Sequence, residues 1–485
     1  MYLGLDIGTS AIKAVLVDDA QAVIATAETP LAISRPQPGF SEQSPEDWWQ
    51  ATLASIDTLK AEQPKALAAV RGIGLSGQMH GAVLLDAFGK VLRPAILWND
   101  GRSSAECREL EERFPALHQV AGNLAFPGFT APKLMWVRKH EPDLFARMAK
   151  VLLPKAYVGF RLTGEMVEEM SDASGTLWLD VGRRDWSDEA LAATGMSREH
   201  MPRLVEGSAA AGRIKPELAA RWGMENPPVL AGGAGDNAAG AIGLGAIGAN
   251  DAFVSLGTSG VLWATTDRYA PNPQSSVHAF CHAIPATWHQ MGVILSAASA
   301  LGWWANVAKE APGDLLAPLG DAPKAPARAT FLPYLSGERT PHNDTAIRAA
   351  FVGMDHDTGR DELTQAVLEG VSFAFKDCLD ALSAAGTRLT QADVIGGGSR
   401  SRFWIAVLAS VLGIPLNRVE DGERGGAFGA ARLARMAATG ESPAEICLPP
   451  RRIETIEPDP VLQQAYAERH ALYKALYPAL KGVTS

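Results

Sequence analysis

The sequence predicts an α/β protein built from two related domains that face one another across a cleft, and three observations carry that prediction. At 485 residues the chain is too long for one hydrophobic core and long enough for two or three domains. A strand, a Gly-Thr-Ser turn and a second strand occur twice, in Tyr2 to Val17 and again in Phe253 to Trp263, each copy opening about half of the chain. Between them, Gly232-Gly233-Ala234-Gly235-Asp236-Asn237-Ala238-Ala239-Gly240 sets one carboxylate in a glycine-rich turn, after the apolar run Val229-Leu230-Ala231 and ahead of a small-residue helix starting near Asn237. Glycines at that density admit positive φ and the close approach of a ligand. The carboxyl end of a strand is where open α/β sheets bind ligands, although Asp is also a favoured helix cap.

In chain order, Tyr2 to Asp6 runs into Ile7-Gly8-Thr9-Ser10 and out through the apolar stretch around Lys13. Such a turn offers N–H groups and hydroxyls to a phosphate, and its Asp6 offers a carboxylate to a metal. One copy alone reads as an ordinary turn; the second copy gives it weight. Where the first has Asp6 the second has Ser255, and one metal-side carboxylate suffices. Gly72 to Ser76 reads as a buried strand ending in Gly77-Gln78-Met79-His80-Gly81, and the flanking glycines favour His80 as a ligand contact over a satisfied core histidine. Ala95 to Leu97 ends in Trp98-Asn99-Asp100-Gly101-Arg102, where a polyhydroxyl ligand finds donors and acceptors, while Asp100 and Arg102 equally suit a surface ion pair.

Phe129 to Val137 starts a helix with Pro132 in its first turn and Leu134 and Trp136 in the core. Ser171 to Thr176 reads as a small polar loop without an assigned role. The uncharged, glycine-rich Gly243 to Asn250 is where the halves join, dividing the chain into 1–245 and 246–485. In the second half, Tyr334 to Pro341 reads as a structural loop and Leu363 to Leu379 as a packed helix. Val394-Ile395 runs into Gly396-Gly397-Gly398 before a helix with Phe403, Trp404, Val407 and Leu408 on its apolar side. Bare backbone there suits a flat ligand, or a close crossing of helix over strand. Leu462 to Leu480 reads as a surface helix without chemistry.

Composition narrows the partners. A formal net charge of −10 argues against nucleic acid and anionic membranes, and Arg183-Arg184 and Arg451-Arg452 read as solvated surface pairs. The longest weakly polar stretch, Ala238 to Ala249, is well short of the roughly 20 residues a bilayer needs, and no secretory signal is visible. Four widely spaced cysteines read as reduced thiols of a cytoplasmic protein.

With these motifs in order, the chain resembles the FGGY carbohydrate kinases over nearly its whole length, and most closely the bacterial members that act on D-xylulose. The resemblance rests on Leu5 to Ser10, Ser76 to Gly81, Leu97 to Arg102, Gly128 to His140 with Pro132, Lys133 and Trp136, Gly235 to Gly240, Ser255 to Gly260 and Tyr334 to His342. It implies two actin-like ATPase (ribonuclease H-like) domains, 1–245 holding sugar and catalytic base and 246–485 holding nucleotide. It implies a reaction between ATP, with Mg²⁺, and O5 of D-xylulose in xylose catabolism. By the same resemblance Asp236 is the general base, and Asp6 assists catalysis on the metal and phosphate side. Met79, His80, Trp98, Asn99 and Asn237 surround the ketose. Thr9, Lys13, Gly257 and Thr258 lie near the phosphates, and Gly397 and Gly398 near adenine. Arg402 stands where glycerol kinases of the family carry an Asn, a departure in the base contact. A homodimer is compatible with the family. The competing readings are a sister kinase for glycerol, ribulose, gluconate or a deoxy-sugar, and an actin- or chaperone-type ATPase, which has no need of a glycine-caged Asp236.

Overall fold

Tyr2 to Ile7 is almost uninterrupted apolar sequence, and the strand it forms is buried everywhere except at Asp6, as expected of a strand covered on both faces. The computed structural model describes residues 1–420 and 425–483. In the first half the sheet strands are β1 (Tyr2–Ile7), β2 (Ala11–Val17), β3 (Val23–Pro30), β4 (Gly72–Gly77), β5 (Ala210–Arg213) and β6 (Val229–Ala231), in the order β5-β6-β4-β1-β2-β3. In the second they are β7 (Ala252–Leu256), β8 (Gly260–Thr266), β9 (His278–Cys281), β10 (Trp288–Ile294), β11 (Ala392–Ile395), β12 (Leu416–Val419) and β13 (Arg452–Ile456), in the order β9-β10-β8-β7-β11-β12-β13.

The two sheets repeat one design. β1, β2 and β3 pair antiparallel as β7, β8 and β10 do. β4 lies parallel to β1 as β11 lies parallel to β7. β6 and β12 then continue in parallel, and each is closed by an antiparallel edge strand. Duplicated topology explains the duplicated hairpin: each Gly-Thr-Ser turn joins the first two strands of its own sheet.

Two helices cross between the sheets: α1 (Asp236–Leu244) and α2 (Gly425–Thr439). Alanine and glycine along both allow backbone to meet backbone. A methyl group on Gly429 would overlap the Ala239 carbonyl, and one on Gly4 or Gly74 would overlap the carbonyls of Ala427 and Ala430. Thus α2, from the end of the second half, packs on the sheet of the first. Arg432 pins the crossing by donating to the carbonyls of Ile242 at 2.9 Å and Gly243 at 3.1 Å.

One core lies under each sheet, and a third joins Phe129, Trp178 and Leu191 of the first half to Phe253, Trp263 and Phe280 of the second. Along this seam the Arg183-Arg184 reading is corrected. Arg184 is not solvated: its guanidinium holds Glu206 at 2.6 Å, donates to the carbonyls of Thr287 and His282, and lies over Trp288. Asp100 and Arg102 likewise form a buried pair, 2.7 Å apart, with Arg102 stacked on Phe40.

Ser171 to Thr176 is not a loop. Met170–Ser174 is a short, fully buried helix, because the Glu169 side chain accepts from the backbone N–H groups of Ser171 and Asp172 and supplies its cap. The helix predicted at Leu363 to Leu379 spans Arg360–Ala384, and Pro460–Leu480 forms the C-terminal helix with Tyr466, His470 and Tyr473 turned into the core. All four cysteines are free and buried. Among the described residues no helix is long and apolar enough to cross a membrane.

Candidate active site

The carboxyl end of β4 organises the cleft. Asp6 on β1 lies in register with Ser76 on β4, and Ser76 Oγ donates to Asp6 Oδ1 at 2.7 Å. On the other flank Ala234 and Gly235 pair with Ser76 and Gly77, which delivers Asp236 to the same strand end. Asp6 and Asp236 therefore stand on either side of one strand terminus.

Asp236 is exposed to solvent, with protein crowded around its carboxyl group. That crowding, with the repulsion of Asp6 second, raises its carboxyl to about 6 against the pull of hydrogen bonds from Asn237. Burial also raises Asp6, opposed by Ser76 and Lys13. Asp236 is not the helix cap, since Gly235 holds that position. Its Oδ1 accepts from Asn237 N at 2.7 Å and Asn237 Nδ2 at 2.9 Å, while Oδ2 has no partner among the described residues. One oxygen is fixed and the other is free to take a proton. Asn237 spends its amide on Asp236.

His80 sits at φ 72°, and its Nδ1 lies 2.8 Å from the Gly175 carbonyl. A carbonyl accepts only, so Nδ1 carries the hydrogen and Nε2 is an acceptor. Burial holds the ring neutral, lowering it to about 3, and Phe129 meets it edge-on at 4.7 Å. Met79 is buried, packed against Gly235 beneath the Asp236 loop. Trp98 is 48% exposed and donates from Nε1 to Thr9 Oγ1 at 3.0 Å, and Thr9 donates to Gln78 Oε1 at 3.0 Å. Asn99 is exposed beside it.

Lys13 is exposed, faces Asp6 across β1 and β2, and lies 3.8 Å from Glu28. In the second hairpin the Gly257 and Thr258 carbonyls accept from Ala298 N and Ala297 N, leaving the Thr258 side chain exposed. Gly397, Gly398 and Arg402 line a cavity of about 660 Å³ together with Leu301, Asp321 and Trp404. A methyl on Gly397 would meet nothing within 4 Å, whereas one on Gly398 would strike Leu256, so open backbone and tight crossing occur in adjacent residues. Arg402 is engaged, donating to Glu454 at 2.8 Å and to the Asp321 carbonyl at 3.2 Å.

Sequence reasoning missed Gly426 and Ser76. A methyl on Gly426 would strike Ser76 and come within 3.1 Å of Asp6 Oδ1, so the start of α2 reaches across the halves to the acid on β1. The Gly425-Gly426 pair ahead of an alanine-rich run carries the same glycine-into-helix signal as the turn before Asp236.

Two matched domains, a shared cleft and opposed acids define a class, and direct comparison agrees. Residues 1–243 match the N-terminal domain, and residues 252–438 the C-terminal domain, of the FGGY family of carbohydrate kinases. The chain belongs to that family. It is 48% identical over 99% of both chains to the xylulose kinase of Escherichia coli K12, and 47% identical over the full length of both to that of Klebsiella pneumoniae. The solved xyloylose kinase of Brucella ovis superposes with a TM-score of 0.97 at 55% identity, over 99% of each chain.

Proposed function

We propose that the chain transfers the γ-phosphoryl group of ATP to O5 of D-xylulose, giving D-xylulose 5-phosphate. The observation that carries this reading is the free Oδ2 of Asp236 at the cleft floor, in a chain nearly half identical end to end to two xylulose kinases. An alcohol is a poor nucleophile at neutral pH, and a carboxylate near 6 is ionised there yet basic enough to accept its proton. Phosphoryl transfer has a loose transition state, so alignment matters more than basicity, and the fixed Oδ1 supplies alignment. His80 Nε2 and the exposed face of Trp98 provide an acceptor and an apolar wall for the ketose, with Asn99 at the rim and Met79 holding the loop from below.

The phosphates lie between the two hairpins, near Thr9, Lys13, Gly257, Thr258 and the start of α2, with adenine over Gly397 and Gly398 beside Arg402. Magnesium bound with ATP neutralises charge on the phosphate oxygens. Asp6 is a hard oxygen ligand that would hold such an ion, which would supply charge neutralisation beside the transferred phosphoryl group. The four free thiols suit a reducing, cytoplasmic setting.

A coupled ADP-release assay over D-xylulose, D-ribulose, gluconate and glycerol tests the reading. D-xylulose should give the highest kcat/KM. Preference for another of the four would assign a sister kinase, and ADP release independent of sugar would assign a motor- or chaperone-type ATPase.

A further inference from the structure

Behind the loop that carries Asp236, four ionisable side chains are packed away from water. Lys155, Glu168, Glu169 and Asp172 are each at most 2% exposed, and Lys155 Nζ lies 2.6 Å from Glu168 Oε1, 3.7 Å from Glu169 Oε1 and 3.7 Å from Asp172 Oδ2. Three carboxyl groups face one ammonium. The other charges nearby do not restore balance: Asp236 adds negative charge from the cleft side, and Arg184, beyond Glu169, is already paired with Glu206.

Hydrogen bonds divide the three acids. Glu169 accepts from Ser171 N at 2.7 Å, Ser171 Oγ at 2.8 Å and Asp172 N at 2.8 Å. Glu168 Oε1 accepts from Lys155 and from Glu169 N at 3.0 Å. Neither oxygen of Asp172 has a donor, nor does Glu168 Oε2. A buried carboxylate without a donor is far costlier than the neutral acid, which turns an acceptor into a donor for a neighbour. A metal ion is a poor alternative although ligand oxygens of the three acids lie within 4.8 Å of one another, because the Lys155 ammonium already occupies the cation's place among them.

The cluster is joined to the cleft at three points. Lys155 Nζ reaches the Gly232 carbonyl at 3.4 Å, Ser171 Oγ accepts from Gly235 N at 3.0 Å, and Gly175, just past the short helix, holds His80.

We infer that these four residues form a proton-holding brace: Asp172 is kept as a neutral carboxylic acid donating to a neighbouring carboxylate, and Lys155 is a positioning residue that fixes the Asp236 loop through Gly232. Burial and the surrounding carboxylates push Asp172 well above its ordinary range, in the same direction. The positioning half rests on Asp236 being the base; the protonation half does not.

Wild-type protein labelled with carboxyl-¹³C aspartate should retain one resonance at the protonated position at neutral pH, and Asp172→Asn should remove it. No protonated aspartate in the wild type overturns the assignment without need of a variant. Because the folded protein then keeps a proton that the unfolded chain loses near pH ~4, wild type should lose stability relative to Asp172→Asn as pH rises. A Tm deficit in Asp172→Asn that grows with pH would mean an ionised Asp172 paired with Lys155. For the brace, Lys155→Met should lower kcat on the order of tenfold to a hundredfold, with both KM values within about twofold of wild type. Unchanged kcat, or both KM values rising together, would reject Lys155 as a positioning residue while leaving the resonance to judge Asp172.

Discussion

The first turn of α2 at Gly426 lies beside Asp6, a residue far from it in sequence: a methyl group added there would stand 3.1 Å from Asp6 Oδ1 and strike the Ser76 hydroxyl that donates to it. The two halves thus meet at backbone beside the acid assigned to the metal side. Gly426→Ala should push on Ser76 and displace Asp6, lowering kcat on the order of tenfold or more. Steady-state kinetics checks this, and a variant with wild-type kcat would show that the contact yields without moving Asp6.

Asp236→Asn keeps shape and removes basicity. It should bind sugar and ATP by calorimetry yet lose most phosphoryl transfer, and near-normal turnover would exclude Asp236 as base. In the wild type kcat/KM should rise with pH through about 6, as that carboxyl ionises in the free enzyme. The stability consequence has the opposite sign. A raised carboxyl holds its proton longer when folded, so its contribution is present below the unfolded value of about 4 and is lost as pH rises through about 6. Asp236→Asn should therefore melt above wild type at neutral pH, with the gap closing in acid.

His80 has Nδ1 committed to the Gly175 carbonyl, which leaves Nε2 as the acceptor proposed for the ketose. His80→Ala should raise the sugar KM roughly tenfold and leave the ATP KM unchanged. Equal rises in both would make the residue a support of the fold.

Gly74 faces the Ala430 carbonyl of α2. Gly74→Ala should destabilise the protein by about 3 kcal/mol or more, read by denaturant unfolding. A midpoint equal to wild type would mean that α2 is less tightly seated.

What the sequence made legible was local backbone chemistry. The hairpin turns, the glycine-bracketed His80 and the acid at the end of the 229–235 segment announce themselves because glycine density and strand pattern are written within ten or so residues. Partnerships over long separation were not legible. Arg184 looked like surface because the carbonyls it serves lie near residue 285, and Gly426 drew no notice because the acid it touches lies on β1. Ser171 to Thr176 reads as a loop because the five residues of the helix Met170–Ser174 carry no helical period, and its cap comes from a Glu side chain.

That α2 covers the first sheet has a consequence during synthesis. Gly4, Gly72 and Gly74 leave the ribosome well before the helix that seats on them. The first sheet therefore lacks the cover of α2 until that helix has been translated, and any exchange of one half of this enzyme for another would have to preserve the seat that Gly4, Gly72 and Gly74 offer it.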